Sequence, residues 1–258
     1  MILDDILAQT RQAVAAARGQ RPLAQLEQQL ATAPAVRDFC AALGKPGLAC
    51  IAEFKRRSPS KGWINQDADP AVVASAYQAA GAAAISVLTD APFFGGSLDD
   101  LRRARAAVDI PVLRKDFIVD PYQVAEARVA GADALLLIVS ALRQDDLVEL
   151  VVEVRRLGME ALVETHDRHE VERALAAGAR AIGVNHRDLH TFQMDMTLAL
   201  TMRPLIPPDR LLVAESGIRT PDDAHRMHGA GVDAVLVGER LMREPDPGSA
   251  LRRLMGFA

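Results

Sequence analysis

Cysteine is scarce in this chain of 258 residues: Cys40 and Cys50 are the two it has. Their spacing matches no metal or redox motif. They read as free thiols packed in a reduced cytosol, not as a disulfide framework. Aromatic residues are 4% of the chain, and the formal net charge is −4. A nucleic-acid binder needs a basic face for the phosphates and rings for the bases to stack on, so no nucleic-acid partner is expected. The longest charge-free apolar run, 134–142, falls far short of the roughly 20 residues a membrane helix needs. The first residues, Met1-Ile-Leu-Asp-Asp, are acidic where a secretory signal is basic, which predicts a cytoplasmic protein. No metal is expected either. His166 and His169, like His225 and His228, stand at i, i+3, but neither pair has a third and fourth ligand, and both read as solvated helix faces. Arg102, Arg103 and Arg105 read as an exposed charged helix face.

What the chain does have is apolar surface, 50% of its residues, enough for one large core. Residues 1–47 form no strand pattern. Segments 3–18, 23–30 and 36–43 read as short helices, the first ended by Gly19 and the last closed by Gly44. Short helices bury little alone, so this is a helical extension packed on the rest. From residue 48 the pattern changes. Apolar runs at 48–55, 83–90, 111–117, 132–139, 160–164, 181–185, 211–215 and 234–238 alternate with amphipathic stretches. The runs are nearly continuous, as in parallel strands covered on both faces. An internal repeat marks the joints: Ala-Gly-Ala or Ala-Gly-Val recurs at 80–82, 130–132, 177–179 and 230–232, closing a helix before a strand. The glycines there suit the left-handed helix-end position. Asp69-Pro70, Asp120-Pro121 and Thr220-Pro221 mark helix starts. Eight strand–helix units over 48–258 predict a (β/α)8 barrel. The alternative, an open doubly wound sheet, would carry a Gly-x-Gly-x-x-Gly turn after a strand, and none is present.

In such a barrel, catalytic groups stand at the C-terminal ends of the strands. Those positions hold Glu53 and Lys55, Lys115, Glu164, Asn185 and Arg187, and Glu215 and Ser216, while the opposite ends carry almost no charge. A strand alternates its faces, so Glu53 and Lys55 point the same way. A single such pair is equally well a structural ion pair. Charges recurring at one end of several strands argue for a polar pocket. Ser216-Gly217 and Gly238-Glu239, after the last two strands, offer backbone N–H groups with little side-chain cover, which suits a phosphate. Trp63 is placed either at the pocket mouth or on the barrel rim.

Taken together, the segments 52–62 (Ala-Glu-Phe-Lys-Arg-Arg-Ser-Pro-Ser-Lys-Gly), 94–97, 111–118, 162–164, 183–189, 214–218 and 237–239 resemble the indole-3-glycerol phosphate synthase family. The helical N-terminal extension fits as well. The resemblance implies a sugar-phosphate substrate, 1-(2-carboxyphenylamino)-1-deoxyribulose 5-phosphate. Ring closure with loss of CO2 and water would give indole-3-glycerol phosphate in tryptophan biosynthesis, with no cofactor. It implies catalytic roles for Lys115, Glu164, Lys55, Glu53, Asn185, Ser216 and Glu215. Ser58, Phe93, Phe117 and Arg187 would bind substrate, the two phenylalanines against the aromatic ring. Lys55, Gly217, Gly238 and the backbone of Glu239 would hold the phosphate. Which lysine protonates which oxygen stays open. Three residues depart from the family pattern. His186 stands where asparagine is common, facing away from the pocket. Phe54 replaces an aliphatic residue on the outward face. Glu239 stands where serine is common, so its carboxylate should point away from a phosphate. The rivals are a phosphoribosyl isomerase barrel, a Schiff-base aldolase and a non-catalytic phosphate-binding barrel; the last leaves Glu53, Lys115 and Glu164 idle. Nothing in the sequence calls for a second chain, and a monomer is the working expectation.

Overall fold

The computed structural model describes every residue except Met1, Ser60, Leu189, His190, Phe192, Phe257 and Ala258. Ser60 and Leu189, each part of a segment quoted above, therefore lie outside the described residues.

Eight parallel strands close into a barrel: β1 (Ala49–Phe54), β2 (Ala84–Leu88), β3 (Val112–Lys115), β4 (Ala134–Ile138), β5 (Glu160–Thr165), β6 (Ala181–Asn185), β7 (Leu211–Glu215) and β8 (Ala234–Val237). Each pairs with its neighbours in sequence, and β1 closes the ring by pairing Ile51 with both Ala84 of β2 and Leu236 of β8. Alternation sorts the side chains. Ile51, Leu113, Leu136, Leu162, Val213 and Leu236 fill the barrel interior. Ala52, Phe54, Leu135, Val163, Leu212 and Val235 face outward into the layer under the helices. Phe54 is accordingly buried on the outer face, as the alternation predicts.

The helices that cover the barrel begin and end where local chemistry sets them. Asp69, Asp120 and Thr220 cap α4 (Pro70–Ala79), α7 (Pro121–Ala130) and α11 (Pro221–Gly229), each followed by proline at the first turn. The repeated glycines Gly81, Gly131, Gly178 and Gly231 have φ of 94°, 93°, 81° and 77°, a region in which a Cβ is strained. The extension comprises α1 (Ile2–Gln20), α2 (Leu23–Leu30) and α3 (Phe39–Leu43). Helix α1 runs through Gly19, one turn of backbone bonding continuing from Arg21 to Ala17. Helix α3 starts at residue 39 and not at 36, because the Asp38 side chain accepts from the Ala41 N–H and caps it there. Phe39 and Leu43 of α3 plug the N-terminal end of the barrel, and Leu3, Ile6 and Leu7 of α1 pack with residues of its interior.

Two expectations about charge fail in the same region. The N-terminal strand ends are not uncharged: Asp133 and Glu160 are buried there. Arg105 is not exposed on α6 (Leu98–Ala107) but buried beside Asp133. Its Nε donates to the Gly131 carbonyl at 2.9 Å, and its Nη2 donates to the Ala35 carbonyl at 2.8 Å and reaches Asp133 at 3.3 Å. Asp133 in turn accepts from the N–H groups of Arg37 and Val112, both at 2.8 Å. The cluster ties the extension to two strands, which is why it is charged at the end remote from the chemistry. Arg105→Met leaves the Asp133 carboxylate buried without its cation and should cost about 3–5 kcal/mol of stability in urea denaturation. Arg102→Met, on the exposed face of the same helix, should change stability by less than about 0.5 kcal/mol.

Candidate active site

The strands deliver their polar residues to one end of the barrel, around a cavity of about 420 Å³. On β1 and just past it, Glu53 and Lys55 face the same side and pair at 2.7 Å. Gly238, after β8, makes room for that pair. A Cβ there would lie 2.3 Å from Glu53 Oε1. Lys115 ends β3, and its Nζ stands 3.0 Å from Glu164 Oε2 on β5 and 3.2 Å from Glu215 Oε2 at the end of β7. Gly183 on β6 gives Glu215 its space, since a Cβ would lie 2.2 Å from Glu215 Oε1. Asn185 ends β6; its Nδ2 donates to Glu164 Oε1 at 3.1 Å, and its own Oδ1 accepts from the Arg187 N–H at 3.1 Å.

These contacts divide the protons. Burial disfavours the Lys115 ammonium, but Glu164, Glu215 and Glu53 outweigh it and its pKa stands raised. Burial also disfavours the Glu164 carboxylate, yet Lys115 and His166 more than offset it and its pKa is lowered. For Glu215, burial prevails over Lys115, and the nearby Glu164 charge adds to it, so its pKa is pushed up to about 8. Two adjoining carboxyl groups are thus pushed in opposite directions, Glu164 toward ionisation and Glu215 toward keeping its proton.

The far side of the cavity is an anion cradle in form. Ser216 has φ 65°, a left-handed conformation uncommon outside glycine, and Gly217 follows at 82°. Met196 Sδ fills the place of a Gly217 Cβ, at 2.2 Å from where it would be built. Ser216, Gly217, Gly238 and Glu239 all line the cavity, joined by Arg219 and Arg243. Glu239 opens α12 (Glu239–Met242), and Arg243 one turn on donates to its carboxylate from Nε at 3.2 Å and Nη2 at 3.1 Å. The carboxylate is therefore neutralised by a neighbour in sequence.

Every expected site residue except Phe93 lines this cavity. Phe93 is half-buried beside it, and Phe94 takes its place, its ring centroid 6.2 Å from that of Phe117. Both belong to α5 (Ala91–Phe94), a short helix with no counterpart among the expected elements. Successive helical residues point about 100° apart, so one of the two rings faces in. Ser58 is buried, lines the cavity and belongs to a small hairpin pairing Arg57–Ser58 with Gly62–Trp63. Trp63 is 51% exposed and stacks on the Arg57 guanidinium at the rim, outside the lining. His186 is buried away from the cavity, its Nδ1 3.0 Å from the Ser216 carbonyl. Leu3 and Ile6 of α1 also line the cavity, which no strand-end reading reaches. His166 is not on a solvated helix face: it precedes α9 (Arg168–Ala176) and its ring lies between Glu164 and Glu170. Among the described residues no cluster of three His, Cys, Asp or Glu side chains has the arrangement of a metal site, and no helix is long and apolar enough to cross a membrane.

Comparison with known proteins gives a consistent result. The family model described as indole-3-glycerol phosphate synthase matches residues 3–254. The chain is 54% identical to indole-3-glycerol phosphate synthase 2 of Streptomyces coelicolor, over 99% of both proteins. It is 48% identical to indole-3-glycerol phosphate synthase of Rhodopirellula baltica, over 98% of both. Among solved structures, KGPDC from Streptococcus mutans matches with a TM-score of 0.63 at 13% identity, covering 81% of this chain and 96% of that one, a likeness of fold.

The raised Glu215 pKa has a measurable sign. In the unfolded chain a glutamate titrates near 4.3, so between there and about 8 the folded state holds a proton that the unfolded state has lost. Stability from this group is complete below the lower value and is lost as pH rises through the upper one. Glu215→Gln removes that loss. Urea denaturation from pH 5 to 8.5 should show the variant gaining on the wild type as pH rises; parallel curves would show that Glu215 ionises like an ordinary glutamate.

Proposed function

The chain belongs to the indole-3-glycerol phosphate synthase family, and from that premise we propose how its own residues carry the family's reaction. In that reaction, the ring carbon bearing the carboxylate of 1-(2-carboxyphenylamino)-1-deoxyribulose 5-phosphate attacks the sugar ketone. The C–C bond forms, the carboxylate leaves as CO2, and the hydroxyl made from the ketone leaves as water with a neighbouring proton. The product is indole-3-glycerol phosphate. Atoms balance without oxidant or reductant, so the protein's task is to position the substrate and move protons.

The observation that carries the assignment is the Lys115 ammonium between Glu164 and Glu215, at 3.0 and 3.2 Å. An ammonium kept charged in a partly closed site is an acid aimed at a developing oxyanion, and it gives its proton to the ketone oxygen as the ring closes. Glu164, ionised, takes the proton in the dehydration. Lys55, paired with Glu53, protonates the departing hydroxyl and reaches toward the phosphate. Glu215, Asn185 and Ser216 orient the sugar hydroxyls, and Arg187 takes the substrate carboxylate. Phe94 and Phe117 hold the aromatic ring, with Ser58 closing from the hairpin. Gly217, Gly238 and the Glu239 backbone receive the phosphate. All these groups come from one chain, so the reading needs no partner subunit, and we assign the protein to the cytoplasm as a monomer.

The decisive assay follows formation of indole-3-glycerol phosphate from the carboxyphenylamino sugar phosphate by purified protein. Lys115→Ala should lower kcat by about 10²–10⁴ while substrate still binds; unchanged turnover removes Lys115 from the mechanism. Borohydride added during turnover should label no lysine, because a Lys115 amine held protonated is a poor nucleophile. The phosphate end gives a separate test. Arg243→Ala frees the Glu239 carboxylate to repel the phosphate and should raise KM about fivefold, the equivalent of ~1 kcal/mol for a partly exposed pair. Adding Glu239→Ser to that variant should return KM to the wild-type value.

A further inference from the structure

We propose that His166 is a positioning residue for this reaction: its ring bridges Glu170 and Glu164 and holds the Glu164 carboxylate in place and ionised. The proposal rests on the reading above that Glu164 is the base.

Three observations carry it. First, the ring is anchored from behind. His166 Nδ1 stands 3.1 Å from Glu170 Oε2, and the His166 backbone N–H donates to the same oxygen at 2.7 Å. Glu170 is buried in the first turn of α9, where its own N–H is capped by Asp167. Second, the ring's other nitrogen lies beside the reaction centre. Nε2 stands 3.4 Å from Glu164 Oε1, at ion-pair distance. It is buried, with no hydrogen-bond partner among the described residues, and the Glu164 carboxylate is its ion-pair neighbour. Third, His166 does not line the cavity, whereas Glu164 does. It acts on substrate through Glu164 or not at all.

Each carboxylate facing the ring sets its protonation. A neutral imidazole has one lone pair, which would point at one of two carboxylate oxygens. The imidazolium has N–H on both sides and repels neither. The charged groups that face it are Glu164 from β5 and Glu170 from α9, with Lys115 of β3 beyond Glu164. Burial disfavours the imidazolium, but the two carboxylates outweigh it and raise its pKa to about 10.

The arrangement has a use in the reaction sequence. When Lys115 gives its proton to the ketone oxygen, Glu164 loses the cation 3.0 Å away. A buried carboxylate without a counter-charge would take up a proton and cease to be a base. His166, which surrenders no proton in the cycle, keeps Glu164 ionised through that interval, and Asn185 keeps it oriented.

The test compares His166→Gln, Glu170→Gln and Glu164→Gln with the wild type in the complete enzyme. His166→Gln should lower kcat at pH 7 by about 10²-fold, as for a misplaced catalytic group, with KM unchanged. The acid limb of its kcat–pH profile should move to higher pH, because removing a cation raises the carboxyl pKa. Glu170→Gln, which leaves the ring in place but loosens it, should move the limb the same way and less far. Lowered thermal stability with a wild-type kcat–pH profile in both folded variants would make His166 structural and overturn the proposal. If His166→Gln failed to fold, Glu170→Gln alone would decide it by the same profile. Should Glu164→Gln keep wild-type turnover, the assignment of Glu164 as base fails, and this inference with it. Loss of turnover in Glu164→Gln, with unmoved profiles in the other two, sinks the His166 role alone.

Discussion

An ammonium and two carboxyl groups share a buried space at the C-terminal mouth of the barrel, and the site is shaped by the need to keep them compatible. Lys115 is held charged there chiefly by Glu164 at 3.0 Å, with Glu215 at 3.2 Å on its other side. Those two could not both be ionised so close together with one lysine between them. The solution is uneven: Glu164 accepts from Asn185 and has His166 at ion-pair distance, whereas Glu215 Oε1 has no hydrogen-bond partner among the described residues. The difference in their protonation follows from that difference in neighbours. Glycine supplies the room, for the carboxylates of Glu215 and Glu53 stand where Cβ atoms at 183 and 238 would lie.

The barrel makes this arrangement affordable because charge and packing are separated along the strands. The strand interiors are largely apolar, and the inward-facing rows of β1, β3, β5, β6 and β7 end in a polar residue at the mouth. The pairing register brings Asn185 beside Glu215, and Glu164 beside Gly183. Groups far apart in the chain are therefore held by the same hydrogen-bond ladder. Among the described residues Ser216 is the one non-glycine with positive φ, and Gly217 follows it in the same conformation, directly after β7. A left-handed serine costs of order 1 kcal/mol or more, and it persists where surrounding structure holds it. Here His186, just past β6, contacts the Ser216 carbonyl from behind.

The strand-end chemistry was legible because period-two alternation fixes direction from order alone. Glu53 and Lys55, two residues apart, had to share a face, and they pair. What stayed hidden depended on phase or on distant partners. Phe93 and Phe94 are adjacent, and choosing between them requires the rotation of a four-residue helix that no periodicity reveals. Arg105 looked like one of three surface arginines because its partner Asp133 lies beyond the next helix and turn. His166 was misplaced for a subtler reason. An i, i+3 relation to His169 suggests a common helix face, but Asp167 caps α9 so that it starts at Arg168, two residues after His166. The cap was a readable signal. An aspartate before Arg-His-Glu, with glutamate three residues on, marks a helix start and leaves His166 outside it.

Counting charges through the site explains why Glu215 is the group that keeps a proton. Lys55 is matched by Glu53, Lys115 by Glu164, and His166 by Glu170. Each cation is already engaged when Glu215 is considered, so ionising it would add an unmatched negative charge to a closed space. Its proton is the least costly way to keep the interior neutral. The substrate then brings its own negative charges, a carboxylate and a phosphate. Arg187, Arg219 and Arg243 also line the cavity, and Arg243 is engaged by Glu239. The Glu239 carboxylate adds no unmatched charge to this lining, because Arg243 on the same helical turn donates to it.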